Sequence, residues 1–156
     1  MTVSLDIRVV GADRLAKGLS SAPATIASET RAAMTKSLLL LEATQRRTVA
    51  QDTRRLMGSI NHKIYGSGAN ITGHVGPAAR YGYWVEYGRK RGNPPPVAAV
   101  AGWAKRHGVN PYVLARAIGR KGTKKQPFVA PSLKTNRAKI NSIFAAIGVK
   151  VVARIT

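Results

Sequence analysis

The sequence has no cysteine, and only 6 Asp and Glu stand against 26 Lys and Arg in 156 residues. Without thiols there is no thiolate zinc site, no disulfide and no cysteine nucleophile, and redox state says nothing about compartment. The carboxylate clusters that hold Mg²⁺ in nucleases and phosphoryl transferases are in short supply. Glu86 is the only acid after residue 60, and the others are strung along the N-terminal part at spacings that build no site. Long apolar runs are also missing. The longest stretch free of Lys, Arg, Asp and Glu, residues 64–79, is rich in Gly, Ser, Asn and His, so no membrane span and a soluble chain are expected. The first ten residues carry Asp6 and Arg8 and do not read as an export signal. Gly66, Gly68, Gly73 and Gly76 are spread over a hairpin pattern instead of a strand-to-helix turn, so nucleotide binding has no support. No metal and no other cofactor is expected.

What the chain has in excess is positive charge, +20 overall. Residues 1–60 hold 9 basic and 5 acidic side chains, whereas residues 61–156 hold 17 basic side chains and Glu86 alone. Such a half-chain repels itself unless it faces a polyanion or an acidic partner. Nucleic acid is the first choice of partner, an acidic protein the second and anionic lipid a distant third. The length predicts one domain able to bury a core of its own, with residues 89–126 as a basic loop and short-helix insertion within it.

Residues 2–10 alternate, with Val3, Leu5, Ile7 and Val9 on one face, which predicts a strand. A helical pattern begins near Asp13 and reads as interrupted near Pro23. Residues 24–50 contain no Gly or Pro, and Ile26, Ala33, Ser37, Leu41, Thr44 and Thr48 recur at near-helical intervals, which predicts one long helix. Residues 60–65 and 71–75 read as a hairpin around a glycine-rich tip. Short helices are predicted at 97–106, stopped by Gly108, and at 111–118, stopped by Gly119. A last helix is predicted at 132–147, with Leu133, Ile140, Phe144 and Ile147 as its buried stripe and Gly148 as its cap. The alternation of residues 149–155 favours a final strand over frayed helix. The fold class is therefore α+β: an N-terminal strand, a long helix on a small, mostly antiparallel sheet with a hairpin, short helices in the basic insertion and a C-terminal helix.

Ten basic residues between positions 89 and 125, with no acid among them after Glu86, are the main functional candidate: Arg89, Lys90, Arg91, Lys105, Arg106, Arg116, Arg120, Lys121, Lys124 and Lys125. Arg89, Lys90, Arg91, Arg120, Lys121, Lys124 and Lys125 lie in two loops next to Gly and Pro, which predicts displayed, unpaired charges, and all ten are expected to contact nucleic-acid phosphates or an acidic partner. A solvated basic face is the plain alternative, but such a face ordinarily mixes signs. Four of the nine aromatic residues fall at 81–87, apart from the charges, which favours duplex backbone contacts over single-strand stacking. Leu38, Leu39 and Leu40, in a stretch apolar around much of its helix, are candidates for a subunit interface together with Tyr83, Trp84 and Tyr87. Glu86 reads as a structural, partly buried carboxylate held by an Arg or by backbone donors. His62, His74 and His107 would have to converge to serve a small basic ribonuclease, a third choice behind a free, sequence-independent nucleic-acid-binding protein.

Three segments together resemble the small tail-completion or head-to-tail joining proteins of long-tailed phages with lambda-like or HK-type morphogenesis. Thr53-Arg54-Arg55-Leu56-Met57-Gly58-Ser59-Ile60 is similar to T-G-x-L-x-x-S-I. Val75-Gly76, then Tyr81, then Val85-Glu86-Tyr87-Gly88 are similar to V-G…Y-A-x-x-V-E-F-G-T. Gly122-Thr123-Lys124-Lys125-Gln126-Pro127-Phe128-Val129-Ala130-Pro131-Ser132-Leu133 is similar to G-T-x-x-Q-P-F-hydrophobic-x-P-A-L. Arg54 stands where the family usually has Gly, and Arg89 where Thr usually closes the second motif. The resemblance implies an α+β fold, a ring of six subunits and a non-enzymatic role as a virion neck component, a tail-completion or head-tail connector subunit at the head-tail junction, assembled in the host cytoplasm. It implies contact with other neck and tail proteins and with the genome DNA end, no cofactor and no membrane, and structural roles for Glu86, Pro127 and Phe128. A ring also needs two different contact surfaces per subunit.

Overall fold

The computed structural model describes residues 12–68 and 70–155, and side chains from Gly18 to Ala153 except Ala69. The strand expected at 2–10 lies outside the described residues. The fold is α+β: six helices and one two-stranded antiparallel sheet among the described residues. In chain order these are α1 (Ala12–Thr48), α2 (Arg55–Gly58), β1 (Ile60–Ser67), β2 (Asn70–Pro77), α3 (Gly82–Tyr87), α4 (Val97–Arg106), α5 (Pro111–Lys121) and α6 (Val129–Ile155). Contacts gather the chain into two compact units. Among the described residues, one takes in those up to Leu41, those of His62–Val75 and those from Asn136 onward; the other takes in Glu42–Asn61 and Gly76–Thr135.

In the first unit α1 lies against the hairpin. Ala33, Ser37, Leu38 and Leu41 are buried at helical spacing, and a Cβ built on Gly73 would come within 2.6 Å of the Met34 sulfur and 2.9 Å of Leu38 Cδ1. Glycine at that strand position lets the helix approach the sheet closely. Buried Glu29 receives Lys150 Nζ from α6 at 3.2 Å. Contrary to expectation, α1 runs through Pro23 without a break. A mid-helix proline costs about 3 kcal/mol, but here it acts within a 37-residue cooperative element.

The second unit is built on Val49, Leu56, Ile60 and Phe128, with Met57, Ala79, Val85 and Val129 packed around them. Arg46 Nη2 donates to the Ile60 carbonyl at 2.8 Å, tying the end of α1 to the start of β1. Helices α4 and α5 pack on each other, with Ala104 and Ala115 buried.

The sequence boundaries need four corrections. Helix α5 continues past Gly119, which is buried within it, and ends at Gly122. Helix α6 begins at Val129, before Ser132, because its first amides are capped by a distant side chain described below. The buried face of its first turns carries Ser132 and Asn136, and Leu133, expected in the buried stripe, is 54% exposed. Finally, Gly148 lies inside α6, and residues 149–155 continue the helix instead of forming a strand. Propagating an existing helix adds one hydrogen bond for each residue fixed.

Candidate functional site

Helix α3 follows Gly76-Pro77 and a turn, and its inner positions are small or carboxylic. Gly82 is buried, and a Cβ there would stand 2.6 Å from Pro77 Cγ and 3.2 Å from Leu56 Cδ1. Val85 packs on the core and Glu86 is buried behind it. The outer positions are aromatic: Tyr83, Trp84 and Tyr87 are 58%, 45% and 67% exposed. The Tyr83 ring meets Trp84 edge-on at 5.1 Å and lies 4.9 Å from the Tyr87 ring.

Glu86 is held by backbone donors. Its Oε2 accepts from the amides of Phe128 and Val129 at 2.7 and 2.9 Å, and its Oε1 from Ala130 at 3.0 Å. These are amides at the start of α6, which no intrahelical carbonyl can reach, and a carboxylate there is also favoured by the helix dipole. Burial works against the charged form, but the three amide donors outweigh it and hold the carboxyl below its ordinary value. Glu86 is thus an N-cap for α6 supplied from more than forty residues earlier in the chain.

The chain that follows α3 is stitched to the chain that precedes α6. The Gln126 amide donates to the Val85 carbonyl at 2.8 Å. Arg89 and Thr123 form an antiparallel bridge, with Thr123 N donating to Arg89 O at 2.9 Å and Arg89 N to Thr123 Oγ1 at 2.9 Å. Gly92 N donates to Gly119 O at 2.9 Å. The bridge depends on two glycines with positive φ. Gly122 (φ 72°) would place a Cβ 2.2 Å from the Arg89 carbonyl oxygen, and Gly88 (φ 73°) would place one 2.7 Å from that of Thr123.

The consequence is electrostatic. Two basic loops about thirty residues apart in sequence become neighbours, bringing Arg89, Lys90 and Arg91 beside Arg120, Lys121, Lys124 and Lys125. All seven are exposed except Arg89, which is half-buried. The Arg89 guanidinium lies 5.0 Å from the centre of the Trp84 ring and donates to the Asn93 carbonyl at 3.0 Å, a cation-π contact. The aromatic face of α3, expected to stand apart from the charges, therefore adjoins them.

Lys105 and Arg116 are exposed on α4 and α5. Arg106, a candidate for contact with nucleic acid or an acidic partner, makes a bidentate ion pair with Asp52, and this pair holds the Asp52 carboxyl below its ordinary value. Leu38, expected at a subunit interface, is 3% exposed and packs inside its own chain; Leu40 is half-buried, and Leu39 is the exposed member at 50%. His74 meets Tyr65 edge-on, and His107 stacks on Trp103 at 3.8 Å. Pro127 is exposed and Phe128 fully buried. A cleft of about 960 Å³ lies between the loop before α2 and α4, lined among others by Arg54, Tyr81, Trp103 and Arg106. No group of three or more metal-ligating side chains occurs among the described residues, and no described helix is long and apolar enough to cross a membrane.

No protein-family model, curated protein or solved structure matches the chain.

The arrangement can bind anions through exposed cations on a frame anchored by the Phe128 core. Missing from the sequence reading were the Asp52–Arg106 pair and the meeting of the two loops. A faint signal for the second existed: glycines at 88 and 122, each next to a loop that begins or ends in charge.

Proposed function

We propose that this protein is a structural component of a tailed-phage virion, a tail-completion or head-tail connector subunit that assembles as a ring at the neck and meets DNA or neighbouring neck and tail proteins through its basic loops. The observation that carries this reading is that the three segments resembling the family, dispersed over residues 53–133, meet in one framework. Leu56 and Ile60 from the first pack with Phe128 from the third, and Val85 and Glu86 from the second bond to Gln126 and to the amides of Phe128, Val129 and Ala130. Residues of all three segments thus supply the core of one compact unit and the cap of α6.

Arg54 adds support. Its backbone has φ 58°, the left-handed region that glycine adopts without steric cost, and glycine is the residue usual at that position in the family. For ring contacts the exposed Leu39 side of α1 is the candidate surface.

Electron microscopy of the purified protein tests the assembly, and particles made by the encoding virus without it test the role. Rings, and unjoined heads and tails, are expected. Leu39→Asp should abolish rings while leaving the melting temperature within about 2 °C, since an exposed substitution changes stability little. A protein that stays monomeric at high concentration, with normally joined particles in its absence, would overturn the reading.

A further inference from the structure

The aromatic face of α3 and the paired basic loops form one surface, and its chemistry is more specific than charge. Gly88 joins them: the residue after Tyr87 lies against the backbone of Thr123, Lys124 and Lys125. Arg89 joins them again, its side chain on Trp84 and its backbone on Thr123. Six further cations surround this junction, and no acid occurs in residues 87–126 to neutralise them. Tyr83 packs on both Trp84 and Tyr87, and three such rings, each about half exposed or more, are costly to leave in water.

We propose that this surface binds single-stranded nucleic acid, with bases stacking on Tyr83, Trp84 and Tyr87 and phosphates held by Lys90, Arg91, Lys124 and Lys125. A single strand offers both a π-face and a regular series of negative charges, which is what a stacking platform beside a cationic rim recognises. A duplex keeps its π-faces inside and would leave the rings unused. An acidic polypeptide would satisfy the cations and likewise leave the rings in water. A second copy of the chain would bring a further +20 of charge toward the same loops. The inference rests on the proposed function only for where such a strand would be met, at the genome end, and its test uses the purified protein alone.

The experiment is fluorescence-anisotropy titration with labelled oligothymidylate, a duplex of the same length and polyglutamate, over a range of salt. The strand should bind more tightly than the duplex. Trp84→Ala should weaken strand binding about 5- to 150-fold with the salt slope unchanged, because each stacked base contributes without releasing counterions. Tyr87→Ala should act in the same direction, and Trp84→Phe should restore much of the affinity. Changing Lys124 and Lys125 together to Ala should instead reduce the slope by about 1.4, at roughly 0.7 per phosphate on a single strand. Both aromatic positions are exposed, so circular dichroism and melting temperature should match the parent protein. The proposal is overturned if Trp84→Ala and Tyr87→Ala both bind the strand as the parent does, if the duplex is preferred, or if polyglutamate is bound and the strand is not. It is likewise overturned if Trp84→Ala alters only the oligomeric mass. Failure of the ring and joining assays would sink the neck reading without touching any of these outcomes.

Discussion

In the unit that contains the hairpin, a helix rests on a sheet through side chains. In the unit that contains the basic loops, distant stretches of backbone are pinned to one another. The first depends on Met34 and Leu38 meeting a strand at Gly73, contacts that flexible side-chain ends can adjust. The second depends on backbone amides donating at 2.7 to 3.0 Å, across more than thirty residues, to the Glu86 carboxylate, the Thr123 hydroxyl and the Arg89 carbonyl. Packing of the first kind tolerates small errors, because a methyl or thioether can turn aside. Pinning of the second kind does not, because a buried amide that loses its acceptor has no replacement nearby.

Phe128→Ala should have the largest effect. Its ring is fully buried at the centre of the second unit's core, and such truncations cost about 3–5 kcal/mol. Urea unfolding would measure it, and amide exchange should show protection lost first around Val85 and Gln126.

Glu86→Gln should cost about 1–3 kcal/mol, because the amide group turns a donor toward at least one of three backbone donors. Its pH signature separates charge from shape. The carboxyl's folded value is depressed, so its contribution is present above the ordinary value of 4.5 and is lost as pH falls through the lower folded value. The parent protein should lose that increment in acid and the Gln variant should not. Equal acid sensitivity in both would assign the effect elsewhere.

Gly73→Ala probes the first unit and should be milder, about 1–2 kcal/mol, since the atoms it meets belong to side chains that can shift. A larger loss than that of Glu86→Gln would show that the hairpin contact is as intolerant as the backbone pinning. Smallest of all is Arg54→Gly. It relieves a left-handed backbone at φ 58° and should stabilise by up to about 1 kcal/mol, part of the gain being offset by the freer unfolded chain. Thermal denaturation would detect it as a rise of a few degrees.

The sequence by itself determined the elements whose reasons are local. The apolar spacing of α1 from Ala33 to Leu41 needs only helical geometry to form a buried stripe, and the hairpin needs only alternation and a glycine-rich tip. Composition likewise determined the excess of positive charge and its concentration after residue 60. Only the tertiary structure decided where α6 begins, because its cap is a carboxylate brought from Glu86. It also decided that Leu38 is core and Leu39 surface, that Arg106 is occupied by Asp52, and that the two basic loops and the α3 aromatics share one surface. Periodicity records which residues lie on the same face of one element. It carries no information on which distant backbone groups will exchange hydrogen bonds, and in this protein those exchanges build the site.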